Sequence, residues 1–428
     1  LNGKIDNSGN YGADGIVGPH HEKEGSYFTV KQVWSPVQIM ISELPENFDG
    51  TLPVENRYDF TNLKECKFIW TLKSFANRKE TVVKSGEIAK PDIPPHSSGK
   101  IKIDLPKNWK DADALYIAVF DAFGEELWTW DYKLKKIQDL YSLEKQKSNL
   151  SITENDNQII VIQGNTKYFF DRKSGYLSYI EKSGKRISIG NGPRFIAARR
   201  GDRSMDVYYN HDDKEAKSKE RIYFDISKPS IPSNINHSEN ADSITVSVNY
   251  SGDMKSACWH FYSDGPVRLD YEYQYSGTVE LMGVCFNYPE SLVQSKRFLG
   301  KGPYRVWQNR LLGGKLGIWT SDYNDPVPGE TFTYPEFKGY FADWSWMEIE
   351  TAEGAFTIAN GSGEPYIGVF TPRDGRDAVL YTLPESGIAA LKVIPAVRNK
   401  VNSTDLVGPS SQAQWVFGTH RGSLYLQF

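Results

Sequence analysis

Tyr11-Gly-Ala-Asp-Gly-Ile-Val-Gly-Pro19 runs into His20-His-Glu-Lys-Glu-Gly-Ser26 and then into Tyr27-Phe-Thr-Val-Lys-Gln-Val-Trp34, and this stretch orders the rest of the chain. A Gly-rich turn, a short apolar strand end and an amphipathic run stopped by Pro36 make one βα unit. A single such unit cannot bury its own apolar face, because a helix stripe needs a second layer to cover it. Beyond Pro36 no helical period recurs for about a hundred residues. Residues 1–38 therefore read as the last turn of a βα-repeating domain whose earlier repeats lie outside this chain.

The next hundred residues are β-patterned. Val54-Glu-Asn-Arg-Tyr-Asp-Phe60 alternates apolar and polar residues, with a turn at Thr61-Asn62, and Lys67-Phe-Ile-Trp-Thr-Leu-Lys73 is the next strand. Thr81–Lys84, Ser98–Asp104, Ala114–Phe120 and Glu126–Tyr132 continue the series, split by Gly, Pro, Asn and Asp. Period-2 runs at short spacing predict an antiparallel sandwich, and residues 39–137 match an immunoglobulin-like domain in size. It lacks a Cys–Trp–Cys framework. The charged segment at 138–150 reads as a solvated linker.

From about 151 to 428 the chain is again strand and turn. Ser243-Ile-Thr-Val-Ser-Val-Asn249 and Val267-Arg-Leu-Asp-Tyr-Glu-Tyr-Gln-Tyr275 alternate strictly, and no Pro/Ser-rich linker interrupts the run. One large β supersandwich fits this length better than several small units.

The 428 residues carry 50 Lys and Arg against 54 Asp and Glu, a net charge of −4. Near-balance argues against nucleic acid or an anionic membrane as partner. No run approaches the roughly 20 apolar residues of a transmembrane helix. Three cysteines, Cys66, Cys258 and Cys285, make no disulfide scaffold, and buried free thiols are expected. The chain has no initiator Met and no signal peptide, which suits a segment of a longer precursor; the bacterial periplasm or cell surface is favoured over the cytoplasm. Aromatics are 13% of the chain, with 11 Trp and 25 Tyr, which suits sandwich cores and also sugar-stacking surfaces.

Several blocks resemble the β-galactosidase-like glycoside hydrolases of family 2. Asp14-Gly15-Ile16-Val17, Pro19 and the helix ending at Trp34 are similar to the loop and helix that close that family's TIM barrel. Residues 39–137 resemble the immunoglobulin-like spacer that comes after it. Phe170-Asp-Arg-Lys-Ser-Gly-Tyr-Leu177, Gly192-Pro-Arg-Phe195 and Phe298-Leu-Gly-Lys-Gly-Pro-Tyr-Arg-Val-Trp-Gln-Asn-Arg310 resemble the C-terminal domain, a relative of galactose mutarotase. In the last block Arg310 keeps the family residue, while Arg305 and Asn309 replace an acidic residue and an Asp. The resemblance implies a mainly β fold: an immunoglobulin-like sandwich, then a galactose-mutarotase-like supersandwich, behind a short remnant of a TIM barrel. It also implies a non-catalytic C-terminal portion, or small subunit, of a galactoside- or plant/algal-glycan-cleaving enzyme, since the part carrying both catalytic glutamates is not in this sequence. The partner would be the catalytic barrel or a large subunit. The alternatives are a free-standing carbohydrate-binding module and a mutarotase-type aldose epimerase.

Both readings nominate site residues. Asp14 stands where the family has a sugar- and sodium-binding Asn, with the Tyr11 carbonyl completing the ion site; an oxygen set of this kind suits Na, while Asp111-Ala-Asp113 and Asp322-Tyr-Asn-Asp325 offer oxygens to Ca but match no EF-hand loop, so turns are favoured there. An Asp-Gly turn is the plain structural alternative at Asp14. Tyr334–Trp346 gathers six rings with Glu336 and Asp343, so Glu336, Asp343, Trp344 and Trp346 are the carbohydrate-contact candidates, with Arg310. Rings cover the C–H face of a sugar and carboxylates accept its hydroxyl protons; the alternative is that Trp344 and Trp346 alternate into the core. Glu22 with Glu24 is a weak candidate acid pair, His20-His21 makes no zinc site, and His211, His237 and His260 are available as an epimerase base.

Overall fold

A computed structural model describes residues 16, 17, 21, 23, 25–141, 147–200, 223–322, 339–370, 387–396 and 408–428. Two β-sandwiches and one helix, Gly25–Val33, account for the regular structure there. The mainly β class expected from the alternation holds.

The small sandwich pairs two antiparallel sheets. One holds Val37–Ile39, Thr51–Asn56 and Ser97–Lys102; the other holds Thr81–Ile88, Lys67–Ser74, Ala114–Phe120 and Glu126–Lys133 in that order. Inward residues close on Phe68, Trp70, Ile117 and Trp128. The expected strand Val54–Phe60 ends early, at Asn56. That side chain is fully buried and donates to the carbonyls of Thr61 and Ile93 while accepting from the Tyr58 N–H. Satisfying a buried amide diverts the backbone out of the ladder, and Phe60 is left 95% exposed on the loop.

The large sandwich faces two antiparallel layers. One runs, edge to edge, through Ile231–Asn240, Ser243–Ser251, Met254–Tyr262, Val267–Gln274, Thr419–Gln427, Phe356–Asn360, Tyr340–Thr351, Val293–Val306 and Lys315–Asp322. The other includes Leu150–Glu154, Gln158–Gln163, Thr166–Asp171, Leu177–Lys182, Gly190–Arg200, Leu281–Asn287, Gly387–Val393 and Tyr366–Phe370. Side chains of both layers interleave in one core containing Phe170, Trp259, Phe286, Phe298 and Trp344. The Asp171-to-Gly175 turn is built by its own sequence: the Ser174 N–H donates to the Asp171 carboxylate and Gly175 takes φ +71°.

The segment expected to be a solvated linker is partly structural. Its short 3-10 turn, Ile137–Leu140, buries Leu140 in a junction core with Phe75, Tyr116, Leu316 and Trp346. Cys66, Cys258 and Cys285 are free thiols, and burial pushes Cys66 up to about 11.

Candidate functional site

Two junctions tie the helix and the two sandwiches together. The first lies between the sandwiches. Lys301 reaches Asp131 at 2.6 Å, Lys315 reaches Glu126 at 2.5 Å and Lys133 reaches Asp343 at 3.2 Å, so the last strand of the small sandwich is wired to the large one at three points. Burial opposes the Glu126 charge, yet Lys315 and the Thr129 hydroxyl hold its carboxyl below the ordinary range. At the other edge, Glu348 accepts from Arg78 at 2.6 Å and from Arg297 at 2.8 Å, and Arg78 also donates to Gln427. Both guanidinium groups lie against the Trp346 ring, at 5.9 and 5.3 Å.

The second junction holds the helix Gly25–Val33. Phe28 stacks on Tyr304 with ring centroids 4.9 Å apart, Arg310 donates to the Ser26 hydroxyl, Thr29 donates to the Leu312 carbonyl, and the Gly313 N–H donates to the Gln32 side chain. Phe28 also packs on the core of the small sandwich. Gly25 sits 3.2 Å, measured from an added Cβ, from Tyr304, so the helix lies close on the arm that leaves Val293–Val306. That approach leaves Val33, Trp34, Leu311 and Leu312 exposed, Trp34 by 79%. Val33 is one helical turn beyond Thr29, whose hydroxyl bonds the Leu312 carbonyl, so the exposed end of the helix and the exposed arm belong to one junction.

The expected site residues do not converge on one place. Trp344 and Trp346 are fully buried, and the expectation that they form a sugar-facing platform is corrected. Two residues apart on an unbroken strand they would share a face; a register shift opposite, between Leu299 and Lys301, sends Trp344 into the large core and Trp346 into the junction. Asp343 takes φ +49° at this irregularity and pairs with Lys133. Arg310 braces the helix. Tyr11, Asp14, Glu22, Glu24, His20, His211, Asp325 and Glu336 lie outside the described residues. His21 is exposed. His237 lies 3.6 Å from Glu154 and His260 lies 3.2 Å from Asp270, both pairs partly exposed on the strand face away from the core. Asp113 is no calcium ligand: Lys135, the Phe75 N–H and the Ser74 hydroxyl use its oxygens. Among the described residues no group of three His, Cys, Asp or Glu is arranged to hold a metal, and no helix is long and apolar enough to cross a membrane.

Sequence reasoning missed the exposed rings. Trp415 and Phe417 are 72% and 78% exposed beside Gln414–Val416. The signal was the short alternating run ending at Gly418, two residues from ring to ring.

A two-sandwich scaffold that clasps one helix with an arm is the class of protein defined here. Residues 52–140 match the family model for β-galactosidase, domain 4, and residues 162–383, more than half of the chain, match the model for the β-galactosidase small chain. The chain belongs to the β-galactosidase small-chain family. It is 20% identical to a β-galactosidase of Priestia megaterium over 84% of this chain and 35% of that protein. It is 28% identical to a β-galactosidase of Actinobacillus pleuropneumoniae over 43% of this chain and 18% of that protein. The match thus spans about a third, or less, of the length of these relatives.

Proposed function

We propose that this chain is the non-catalytic C-terminal portion, or small subunit, of a family 2 glycoside hydrolase that cleaves galactosides or a related plant or algal glycan. Residues 1–38 form the last unit of the catalytic barrel, 39–137 the immunoglobulin-like spacer, 138–150 the connection, and 151–428 the supersandwich that rims the active site. One observation carries this reading: the helix Gly25–Val33 is held by both sandwiches and yet leaves Val33, Trp34, Leu311 and Leu312 uncovered. Large apolar side chains left exposed on a helix and on the arm that braces it are what a protein contact would cover. On this reading the occupant is a catalytic barrel, and the length of the matched relatives that this chain does not span leaves room for one.

The test is reconstitution. The chain alone turns over no chromogenic galactoside, and co-production with the upstream remainder restores turnover. Trp34→Ala with Leu312→Ala weakens the association without unfolding the chain, because both side chains are exposed. Turnover by the pure chain, or full turnover by the upstream part without it, refutes the proposal.

A further inference from the structure

We propose a glycan-binding cleft on the large sandwich, separate from the surface assigned to the barrel, that takes a neutral oligosaccharide. A cleft of about 880 Å³ opens between the turn at Gln163–Thr166, the turns at Asp242 and Ser263–Pro266, the entering segment Lys147–Asn149 and the end of strand Thr419–Gln427. It shares no residue with the helix, the arm or the exposed Trp34 surface.

The walls are tied together before any ligand arrives. The Ser148 N–H donates to the Ser263 carbonyl, the Gly164 N–H to the Asn149 carbonyl and the Ser263 N–H to the Asp242 carbonyl. Gln163 spends its amide on the carbonyls of Tyr262 and Gly265 and accepts from the buried Tyr168 hydroxyl. Cross-linked turns of this kind hold a site in shape, so little ordering entropy is lost on binding.

The lining chooses the ligand class. Asp242, Asp264, Asn149 and Asn165 point to a ligand rich in hydroxyls: carboxylate and amide oxygens accept its protons, and amide N–H groups donate. The Asn165 amide nitrogen already donates to the Ser183 hydroxyl, which fixes the orientation of the amide and of its accepting oxygen. Among the described lining residues Asp242 and Asp264 stand with Lys147, a set of mixed sign with no basic cluster to hold an anionic ligand. The Phe428 ring, seated edge-on to Tyr168 and beside Phe356, supplies an apolar wall at one side. Such a site would keep a long substrate on the enzyme between cleavage events.

Binding here needs no barrel, so the test is run on this chain alone and its failure is distinct from failure of reconstitution. Isothermal titration calorimetry with lactose and with a linear β-1,4-galactotetraose should show binding stronger for the tetramer, and trigalacturonate should not bind. Asp242→Ala and Asn149→Ala should each weaken tetramer binding about tenfold, the cost of a hydrogen bond to a charged or well-held group, with unchanged melting because both residues are exposed. Trp415→Ala serves as the control and should leave binding unchanged. No heat with either sugar, or binding that survives both cleft substitutions, or binding lost only in the Trp415 variant, overturns the cleft.

Discussion

Glu348→Ala should uncouple the two sandwiches. Glu348 bridges the guanidinium groups of Arg78 in the small sandwich and Arg297 in the large one, accepting at 2.6 and 2.8 Å, and Arg297 also donates to the Arg78 carbonyl. The three side chains keep only 23%, 15% and 37% of their exposure. A fully buried ion pair broken on one side costs about 3–5 kcal/mol, and a fully exposed one about 0–1. At this intermediate burial the expected loss is about 2 kcal/mol, with the two guanidinium groups left facing each other over Trp346. Because Arg78 also holds Gln427 and Tyr141, the loss falls on the contact between sandwiches rather than on either core. Urea unfolding followed by tryptophan fluorescence reads this directly. The parent should unfold in one transition, and the variant in two, the small sandwich first. Adding Arg78→Met to Glu348→Ala should recover part of the loss, giving a coupling of about 1 kcal/mol or more, well above the roughly 0.3–0.5 kcal/mol scatter of independent sites. A variant that unfolds in a single transition within about 0.5 kcal/mol of the parent, or additive double substitution, would refute this account of the junction.

Trp344→Ala and Trp346→Ala should each cost about 3–5 kcal/mol, the range for large buried aromatic truncations, whereas Trp415→Ala, 72% exposed, should lie within about 0.5 kcal/mol of the parent in the same urea assay. Gly302→Ala should destabilise by about 1–3 kcal/mol, since its Cβ would stand 2.5 Å from the Trp319 ring; parent-like unfolding would show that the ring yields freely. Burial raises the Glu364 carboxyl above 4.5 despite the Tyr271 hydroxyl bond and Lys392. The folded state holds this proton more tightly than the unfolded one, so by linkage the contribution is complete below 4.5 and is lost as pH rises through the folded value. Burial and then Lys392 lower His420, whose contribution is instead present above 6.5 and lost as pH falls. Stability measured from about pH 4 to 8 should therefore lose its downward limb in Glu364→Gln and keep the His420 limb; an unchanged profile counts against a buried, proton-retaining Glu364.

Much of the fold was legible because strands with one buried face declare themselves. Ala114–Phe120 has the same limits in the sequence pattern and in the structure, and Lys67–Lys73 differs by one residue. Such runs carry period 2 and end in turn residues. What sequence could not show was where buried polar groups overrule that period. Asn56 ends a strand whose alternation continues to Phe60, because its amide must reach Thr61 and Ile93. The irregularity at Asp343 reverses the facing of two tryptophans in one strand. Ile137, Leu140 and Tyr141 looked like linker residues among lysines, and only the opposing sandwich gives them something to pack on. The cleft was invisible for the same reason: Asn149, Asn165, Asp242 and Asp264 come from separate turns that meet only in the folded state.

The wiring shows what the small sandwich does for the rest of the chain. The helix packs Phe28 against both the small core and Tyr304 of the large sandwich, so its direction is fixed only when the two sandwiches keep their relative position. That position is set at one edge by Glu126, Asp131 and Lys133 and at the other by Arg78 and Glu348. No one half-buried pair fixes that position by itself, but two separated sets of contacts resist rotation as a single set cannot. A loosened junction would thus misdirect the helix without unfolding either core, and with it the arm at Arg310 and the uncovered surface at Trp34. The spacer acts on whatever docks there by holding an angle.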